Sequence, residues 1–101
     1  MQLHPVKLIK IVVEKPAAPL IVDLLNELKL PGYTMYEVKG AGAKGIRLGK
    51  TADKTNVTIE VITSELNAEV LTKRLHDEYF QHYIIIIYLV DVKVIRKNKF
   101  L

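Results

Sequence analysis

The residues of this chain that are best suited to chemistry lie in a glycine-rich, basic segment, residues 39–56. Glycines at positions 40, 42 and 45 can adopt backbone conformations that let amide N–H groups approach the oxygens of a phosphate. Lys44 and Arg47, three residues apart, can then hold the negative charge. The pattern fits a phosphate-binding loop, and an ordinary flexible surface loop explains the same glycines and charges equally well.

The excess charge of the chain is confined to this segment. It contains one acidic residue, Asp53, and five basic residues: Lys39, Lys44, Arg47, Lys50 and Lys54. Its sum of +4 equals the net charge of the whole chain, and the other residues carry ten basic and ten acidic groups. We therefore expect an anionic partner, although charge alone fits a nucleotide, a nucleic acid or a membrane surface.

Two familiar nucleotide motifs resemble parts of this segment without matching it. Gly40–Gly45 spells G-x-G-x-x-G, but a dinucleotide-binding fingerprint follows the first strand and opens an apolar helix, and neither condition is met. Gly45–Thr51 is one residue too short between its glycines for a Walker A loop. Neither motif is therefore predicted to function here.

Other candidate groups are weaker. The sequence His76-Asp77-Glu78 could be drawn as a metal site, but it reads better as the polar face of a helix, and we predict no metal. The five tyrosines could stack on RNA bases, but we expect them to fill the core and its rim. No nucleophile–base pair or carboxylate pair has catalytic spacing, so we predict that the chain is not an enzyme. A basic cluster, Lys93 to Lys99, either meets the same anion as the loop or is solvated.

Composition indicates a single globular domain, residues 1–101. Half of the residues are hydrophobic, which argues against disorder. The longest apolar run, Tyr83–Val90, has eight residues, whereas a membrane-spanning helix needs about 20. The chain has no cysteine, so disulfides and thiol chemistry are excluded. The expected location is the cytoplasm.

Hydrophobic periodicity predicts six elements in the order β-α-β-β-α-β. The strands are expected at Val6–Val13, Tyr33–Lys39, Val57–Ile62 and Ile84–Ile95, and the helices at Ala17–Lys29 and from Ser64 to Tyr79. This order is typical of an α+β, ferredoxin-like sandwich with an antiparallel four-stranded sheet. The long apolar fourth strand would then form a sheet edge, and the sheet face away from the helices is apolar. Both features predict obligate self-association.

With these residues in view, Gly32–Gly45 resembles the second strand and T-loop base of the PII signal-transduction superfamily. The order of elements agrees over essentially the whole chain, with a T-loop at about 41–56. The glycine-rich B-loop of PII proteins is missing, and His82–Tyr88 stands there instead. This pattern is similar to the PII-like branch that includes bicarbonate-transporter-associated and carboxysome-associated proteins.

The resemblance implies a homotrimer that binds an adenine nucleotide (ATP, ADP or AMP) in the clefts between subunits. The T-loop would order with the bound phosphates and signal to a membrane transporter or an enzyme. By position, the nucleotide-binding residues would be Thr34, Gly40, Gly42, Lys44, Arg47, Ile85 and Arg96. The related branch often has glycine where Ile85 stands, so a narrower adenine pocket is expected.

Two alternatives come from other functional classes. One is a metal-handling or enzymatic trimer on the same architecture, as in the divalent-cation-tolerance family, which requires clustered ligands. The other is a nucleic-acid-binding module, which predicts strongly salt-dependent binding to polymers. A nucleotide sensor should instead prefer mononucleotides over a polymer, and we predict no nucleic-acid partner.

Overall fold

The computed structural model describes residues 1–30, 32–39 and 55–96. Its four strands are β1 (His4–Glu14), β2 (Thr34–Val38), β3 (Asn56–Thr63) and β4 (Ile86–Val94). Its helices are α1 (Ala18–Glu27), preceded by a 3₁₀ turn at Lys15–Ala17, and α2 (Glu65–Glu78). The predicted order is confirmed, and each of these elements begins and ends within two residues of its predicted bounds.

The sheet is antiparallel throughout, with the strand order β2-β3-β1-β4. The two central strands are β1 and β3, which pair from Lys7↔Thr63 to Glu14↔Asn56. The fourth strand lies at an edge, as the ferredoxin-like order predicts. Because β2 forms the opposite edge, the first two strands of the sequence are separated by β3.

The core lies between one face of the sheet and the two helices. Alternate residues of β1, including Ile9 and Ile11, point toward the helices, and neither is exposed. They meet Ile21 of α1 and Leu71 of α2, which are at most 1% exposed. The helical apolar stripes predicted from the sequence are thus the surfaces that the helices bury.

Local signals explain where the helices begin and end. Ser64 caps α2, since its side-chain Oγ accepts a hydrogen bond from the Asn67 N–H at 3.2 Å. Helix α1 was expected to stop at Pro31-Gly32, but it ends earlier, at Glu27. Lys29 takes a left-handed conformation with φ of 55°, and the Leu30 N–H donates to the Leu25 carbonyl at 3.2 Å. This arrangement closes the helix without a glycine.

The expectation that the five tyrosines fill the core and its rim is correct for some of these tyrosines and wrong for others. Tyr79 and Tyr83 pack against the core. Tyr36 and Tyr88 instead lie on the sheet face away from the helices, where they are 40% and 45% exposed. Strand alternation places them there, because each pairs in register with a residue of that face.

Candidate functional site

The glycine-rich segment begins and ends at a single point of the sheet. Val38, the last residue of β2, pairs with Asn56, the first residue of β3. Asn56, which the sequence analysis assigned to the loop, therefore belongs to a strand. Residues 40–54, with the predicted site residues Gly40, Gly42, Lys44 and Arg47, lie outside the described residues. The residues on either side of this segment, hereafter its two stems, are the end of β2 with Lys39 and Thr55 with the start of β3, and the structure describes both.

Lys15 contacts both stems. Its backbone N–H donates to the carbonyl oxygen of Thr55 at 2.9 Å. Its side-chain Nζ donates to Oε1 of Glu37, on the other stem, at 2.6 Å. Because β3 lies between β1 and β2, this side chain reaches past β3 to β2. Lys15 therefore links the end of β1 to the strand that enters the loop and to the residue that leaves it.

An apolar groove lies beside these contacts, between α1 and β2. Its volume is about 570 Å³. The apolar part of its lining comes from both elements and from β3, and the charged part is Lys15, Asp23 and Glu37. The apolar residues that line it are Ala18, Pro19, Val22, Met35 and Val57. The loop stems thus stand at a concave, mostly apolar surface.

The three predicted site residues within the described ranges are not brought together in one chain. Thr34 begins β2 and is exposed. Ile85 precedes β4 and packs, partly buried, against the core. Arg96 follows β4 and is exposed. Thr34 and Ile85 thus belong to opposite edges of the sheet, while Ile85 and Arg96 lie at opposite ends of β4.

The sheet face away from the helices, hereafter the open face, carries a polar array that the sequence analysis did not identify. Lys10 pairs in register with Glu60 and with Tyr88. The Lys10 Nζ lies 3.3 Å from Glu60 Oε2 and 5.9 Å from the centre of the Tyr88 ring. The Tyr36 hydroxyl donates to the same Glu60 oxygen at 2.6 Å. Each of the four strands therefore contributes one residue to this array.

The array shifts the titration of its members. The hydrogen bond from the Tyr36 hydroxyl, followed by the contact with Lys10, holds the pKa of Glu60 below its ordinary value. The hydrogen bond to Glu60 raises the pKa of Lys10, and the neighbouring tyrosines add to this rise. The same bond to Glu60 raises the pKa of Tyr36. Glu60 and Lys10 are therefore a mutually stabilised ion pair.

The sequence contains a signal for this array, but the signal can be recognised only when the register between the strands is known. Lys10 stands between Ile9 and Ile11, and Glu60 stands between Ile59 and Val61. Each is a charge between two aliphatic residues of a strand, on the face opposite to these two neighbours. Antiparallel pairing of β1 with β3 places the two directly opposite each other.

Two further features bear on function. Within residues 1–30, 32–39 and 55–96, no group of three His, Asp or Glu side chains could hold a metal ion. His76 instead contacts Asp77, with Nδ1 and Oδ1 3.0 Å apart, on the exposed side of α2. Neither described helix has the length and hydropathy needed to cross a membrane.

Comparison with known proteins identifies relatives over the whole chain. Residues 6–99 match the family model for nitrogen regulatory protein P-II. A PII-like signalling protein from Thermus thermophilus is 37% identical, with 100% of both chains covered and a TM-score of 0.85. CPII from Thiomonas intermedia, in a structure bound to ADP and bicarbonate, is 25% identical over 99% of this chain and 98% of its own, with a TM-score of 0.83. A second CPII structure contains ADP, AMP and acetate, with 22% identity, 99% and 98% coverage and a TM-score of 0.83.

Proposed function

The chain belongs to the nitrogen regulatory protein P-II family, and from this premise we propose that it binds an adenine nucleotide between the subunits of a homotrimer. The binding residues would be those predicted from the sequence: Thr34, Gly40, Gly42, Lys44, Arg47, Ile85 and Arg96. Ordering of the T-loop around the phosphates would then signal to a partner, which we expect to be a membrane transporter or an enzyme. The protein would act in the cytoplasm as a regulator without catalytic activity of its own.

The observation that carries this proposal is the separation of Thr34 from Ile85. They belong to the two outer strands, with β3 and β1 between them. At about 4.8 Å per strand, the outer strands lie about 14 Å apart. Arg96 lies farther from Ile85 than Thr34 does, because the nine-residue strand β4 separates Ile85 from Arg96 and a strand of this length spans about 30 Å. These residues therefore do not converge within one chain, and we expect a cleft between neighbouring chains to combine the edge of one with the edge of the next.

The relatives support the choice of ligand. CPII is described in complexes with ADP and bicarbonate and with ADP, AMP and acetate. We carry adenine nucleotides over to this chain as its expected ligands. Ile85 narrows the expected adenine pocket, so ADP or AMP affinity should depend on how far this side chain can move.

The proposed mechanism is a population shift of the T-loop. A phosphate that binds the loop amides, Lys44 and Arg47 favours the ordered state by its differential affinity for that state. Lys15 would keep the two ends of the loop in place while the loop changes state, because it contacts the described residues on both sides of the loop. The partner would then recognise one loop state together with the neighbouring surface.

Two alternatives have less support. A metal-handling trimer needs clustered ligands, and the part of the chain that the structure describes contains no such cluster. A nucleic-acid-binding module would use the same positive charge, but it should bind polymers with a steep salt dependence. Family membership favours the regulator over both.

Calorimetric titration of the wild-type protein tests the proposal. We expect saturable binding of ATP, ADP or AMP with one site per chain, and a sedimentation mass three times the 11.5 kDa chain. Addition of an RNA homopolymer at matched phosphate concentration should compete poorly. A monomer, or a protein that binds the polymer but no mononucleotide, would contradict the proposed function.

A further inference from the structure

The groove between α1 and β2 is built from one side of each element. Met35 and Glu37 pair in register with Ile59 and Val57, two buried residues of β3, so both point to the face that carries the helices. The lining from α1 consists of two pairs of residues four positions apart: Ala18 with Val22, and Pro19 with Asp23. Because β2 is an edge strand, no described strand lies on the far side of this groove.

The groove presents apolar surface that a single chain leaves uncovered. Met35 is 39% exposed, whereas Ala18 and Val57, which also line the groove, are at most 4% exposed. Pro19 lies in the first turn of α1, where its fixed φ angle stiffens the backbone. The groove is therefore a preformed apolar surface, and its volume of about 570 Å³ is typical of binding sites.

The charge of the groove selects among possible occupants. Lys15 and Glu37 neutralise each other in an ion pair. Asp23 is exposed on α1 and forms no ion pair or hydrogen bond with the residues that the structure describes. The lining therefore carries one uncompensated negative charge, although the chain as a whole has a net charge of +4.

A cation with apolar neighbours is the chemistry that matches this lining. A phosphate or an anionic lipid headgroup would be repelled by Asp23. A wholly apolar occupant would withdraw the Asp23 carboxylate from water without giving it a partner, which is unfavourable. A Lys or Arg side chain can pair with Asp23 while apolar side chains on either side of it cover Val22 and Met35.

We propose that the α1–β2 groove is a docking site for a partner protein, and that its occupant is a short segment in which apolar side chains flank one Lys or Arg. This inference rests on the proposed function, which requires a partner beside the T-loop. Lys15 lines the groove and contacts both stems of the loop, so a segment in the groove would lie next to the part of the chain that changes state. The three described nucleotide-binding residues do not line the groove, so nucleotide and partner can bind together.

Three synthetic peptides test the groove by nuclear magnetic resonance titration of the isotope-labelled full chain. They are acetyl-Ala-Leu-X-Leu-Ala-amide, with Arg, Gln or Glu as X. The arginine peptide should cause saturable shifts, in the millimolar range, at the amides of Val22, Asp23 and Met35. Its affinity should exceed that of the glutamine peptide by about three- to fivefold, the effect of one exposed ion pair. The glutamate peptide should bind most weakly.

Substitutions separate the charge of the groove from its apolar surface. Asp23→Asn should remove the preference for arginine, so that the Arg and Gln peptides bind alike. Met35→Ser should weaken all three peptides and keep their order, because apolar area is lost. The matched control is Glu69→Gln, which removes an exposed carboxylate from α2 and should leave the order unchanged. Neither Asp23→Asn nor Glu69→Gln should change nucleotide affinity or the sedimentation mass.

Several results would overturn this inference. These are the absence of saturable shifts at the groove with the arginine peptide, equal binding of the Arg and Glu peptides, and an unchanged arginine preference in Asp23→Asn. A changed sedimentation mass in Asp23→Asn would also overturn it, because the groove would then belong to a contact between copies of this chain.

Titration with ADP separates the two proposals. A wild-type protein that binds the arginine peptide in the groove but binds no nucleotide contradicts the proposed nucleotide sensor and supports the groove as a docking site. A protein that binds ADP but not the peptide overturns the groove inference alone.

Discussion

Lys15 and Glu37 form an ion pair across an intervening strand, with Nζ and Oε1 2.6 Å apart. Lys15 follows the end of β1, Glu37 lies near the end of β2, and β3 separates the two strands. The backbone N–H of Lys15 also donates a hydrogen bond to the carbonyl oxygen of Thr55. Since Glu37 and Thr55 flank residues 40–54, this lysine positions both stems of the proposed ligand-binding loop. Its role can be separated from stability, because the two side chains are 51% and 60% exposed.

Lys15→Met should weaken nucleotide binding more than it weakens the fold. An ion pair this exposed contributes about 0–1 kcal/mol, so we expect the melting temperature to fall by less than about 8 °C. Methionine keeps an aliphatic lining for the groove while releasing Glu37. We expect a loss of nucleotide affinity of about three- to tenfold, measured by calorimetry, and a similar loss for Glu37→Gln.

The control for this experiment is Lys73→Met. Lys73 and Asp77 form an equally short ion pair, 2.6 Å between Nζ and Oδ2, on α2. This substitution should leave nucleotide affinity unchanged. If the Lys15→Met and Lys73→Met variants bound nucleotide with the same affinity, Lys15 would be an ordinary surface charge and not a residue that positions the loop.

Leu71 and Leu66 test the packing of α2 against the sheet. Leu71 has no exposed surface, whereas Leu66, on the same helix, is 69% exposed. Leu71→Ala should lower the free energy of unfolding by about 2–5 kcal/mol, because a cavity is left in the core. Leu66→Ala should change it by at most about 0.5 kcal/mol. Urea denaturation at one fixed protein concentration measures both, and a large effect at Leu66 would reveal a contact that one chain does not show.

The fold could be predicted from the sequence because its signals are local. Apolar alternation in β3 and the stripe of α1 each follow from residues close together in the chain. The end of α1 was less accurate, since the left-handed turn at Lys29 uses a residue type that seldom marks a helix end. The positions of Pro31 and Gly32 suggested a later stop.

The candidate site was less predictable, because its contacts join residues that are distant in sequence. Tyr36 and Glu60 are 24 positions apart, and Lys15 and Glu37 are 22 apart. Such pairs depend on strand order and register, which the periodicity of a single strand does not determine. The sequence analysis expected both the β4 edge and the open face to be apolar, and it missed the Lys10–Glu60 ion pair on the two central strands of that face.

The acid sensitivity of the fold should depend on Glu60. Its pKa in the folded chain lies below the ordinary value of 4.5 because the Tyr36 hydroxyl donates to it and Lys10 is adjacent. Ionised Glu60 therefore stabilises the folded state above the unfolded-state pKa, and this contribution is lost as the pH falls through the lower folded-state pKa. Glu60→Gln should flatten the dependence of unfolding free energy on pH below about pH 5.

Tyr36→Phe provides the complementary test of this pH dependence. It removes the hydrogen bond that contributes most to the lowered pKa of Glu60, so the folded-state pKa should move toward its ordinary value. The acid-induced loss of stability should therefore be smaller in total, and be complete at a higher pH, than in the wild type. Denaturant titrations at several pH values would measure all three proteins. Parallel curves for wild type and Glu60→Gln would contradict the assignment.

The final prediction distinguishes a phosphate-binding site from a basic surface. If Lys44 and Arg47 hold phosphates in a partly desolvated cleft, each charge-assisted hydrogen bond contributes about 1.5–3 kcal/mol. Lys44→Ala or Arg47→Ala should then weaken nucleotide binding about ten- to a hundredfold, since 1.4 kcal/mol corresponds to a factor of ten. Lys54 has the same charge but lies outside the glycine motif. Lys54→Ala should change the affinity by less than about threefold, because salt screens a distant surface charge. Calorimetric titrations with ATP, ADP and AMP compare the three variants under one ionic strength, and equal losses in all three would reduce the loop to an electrostatic patch.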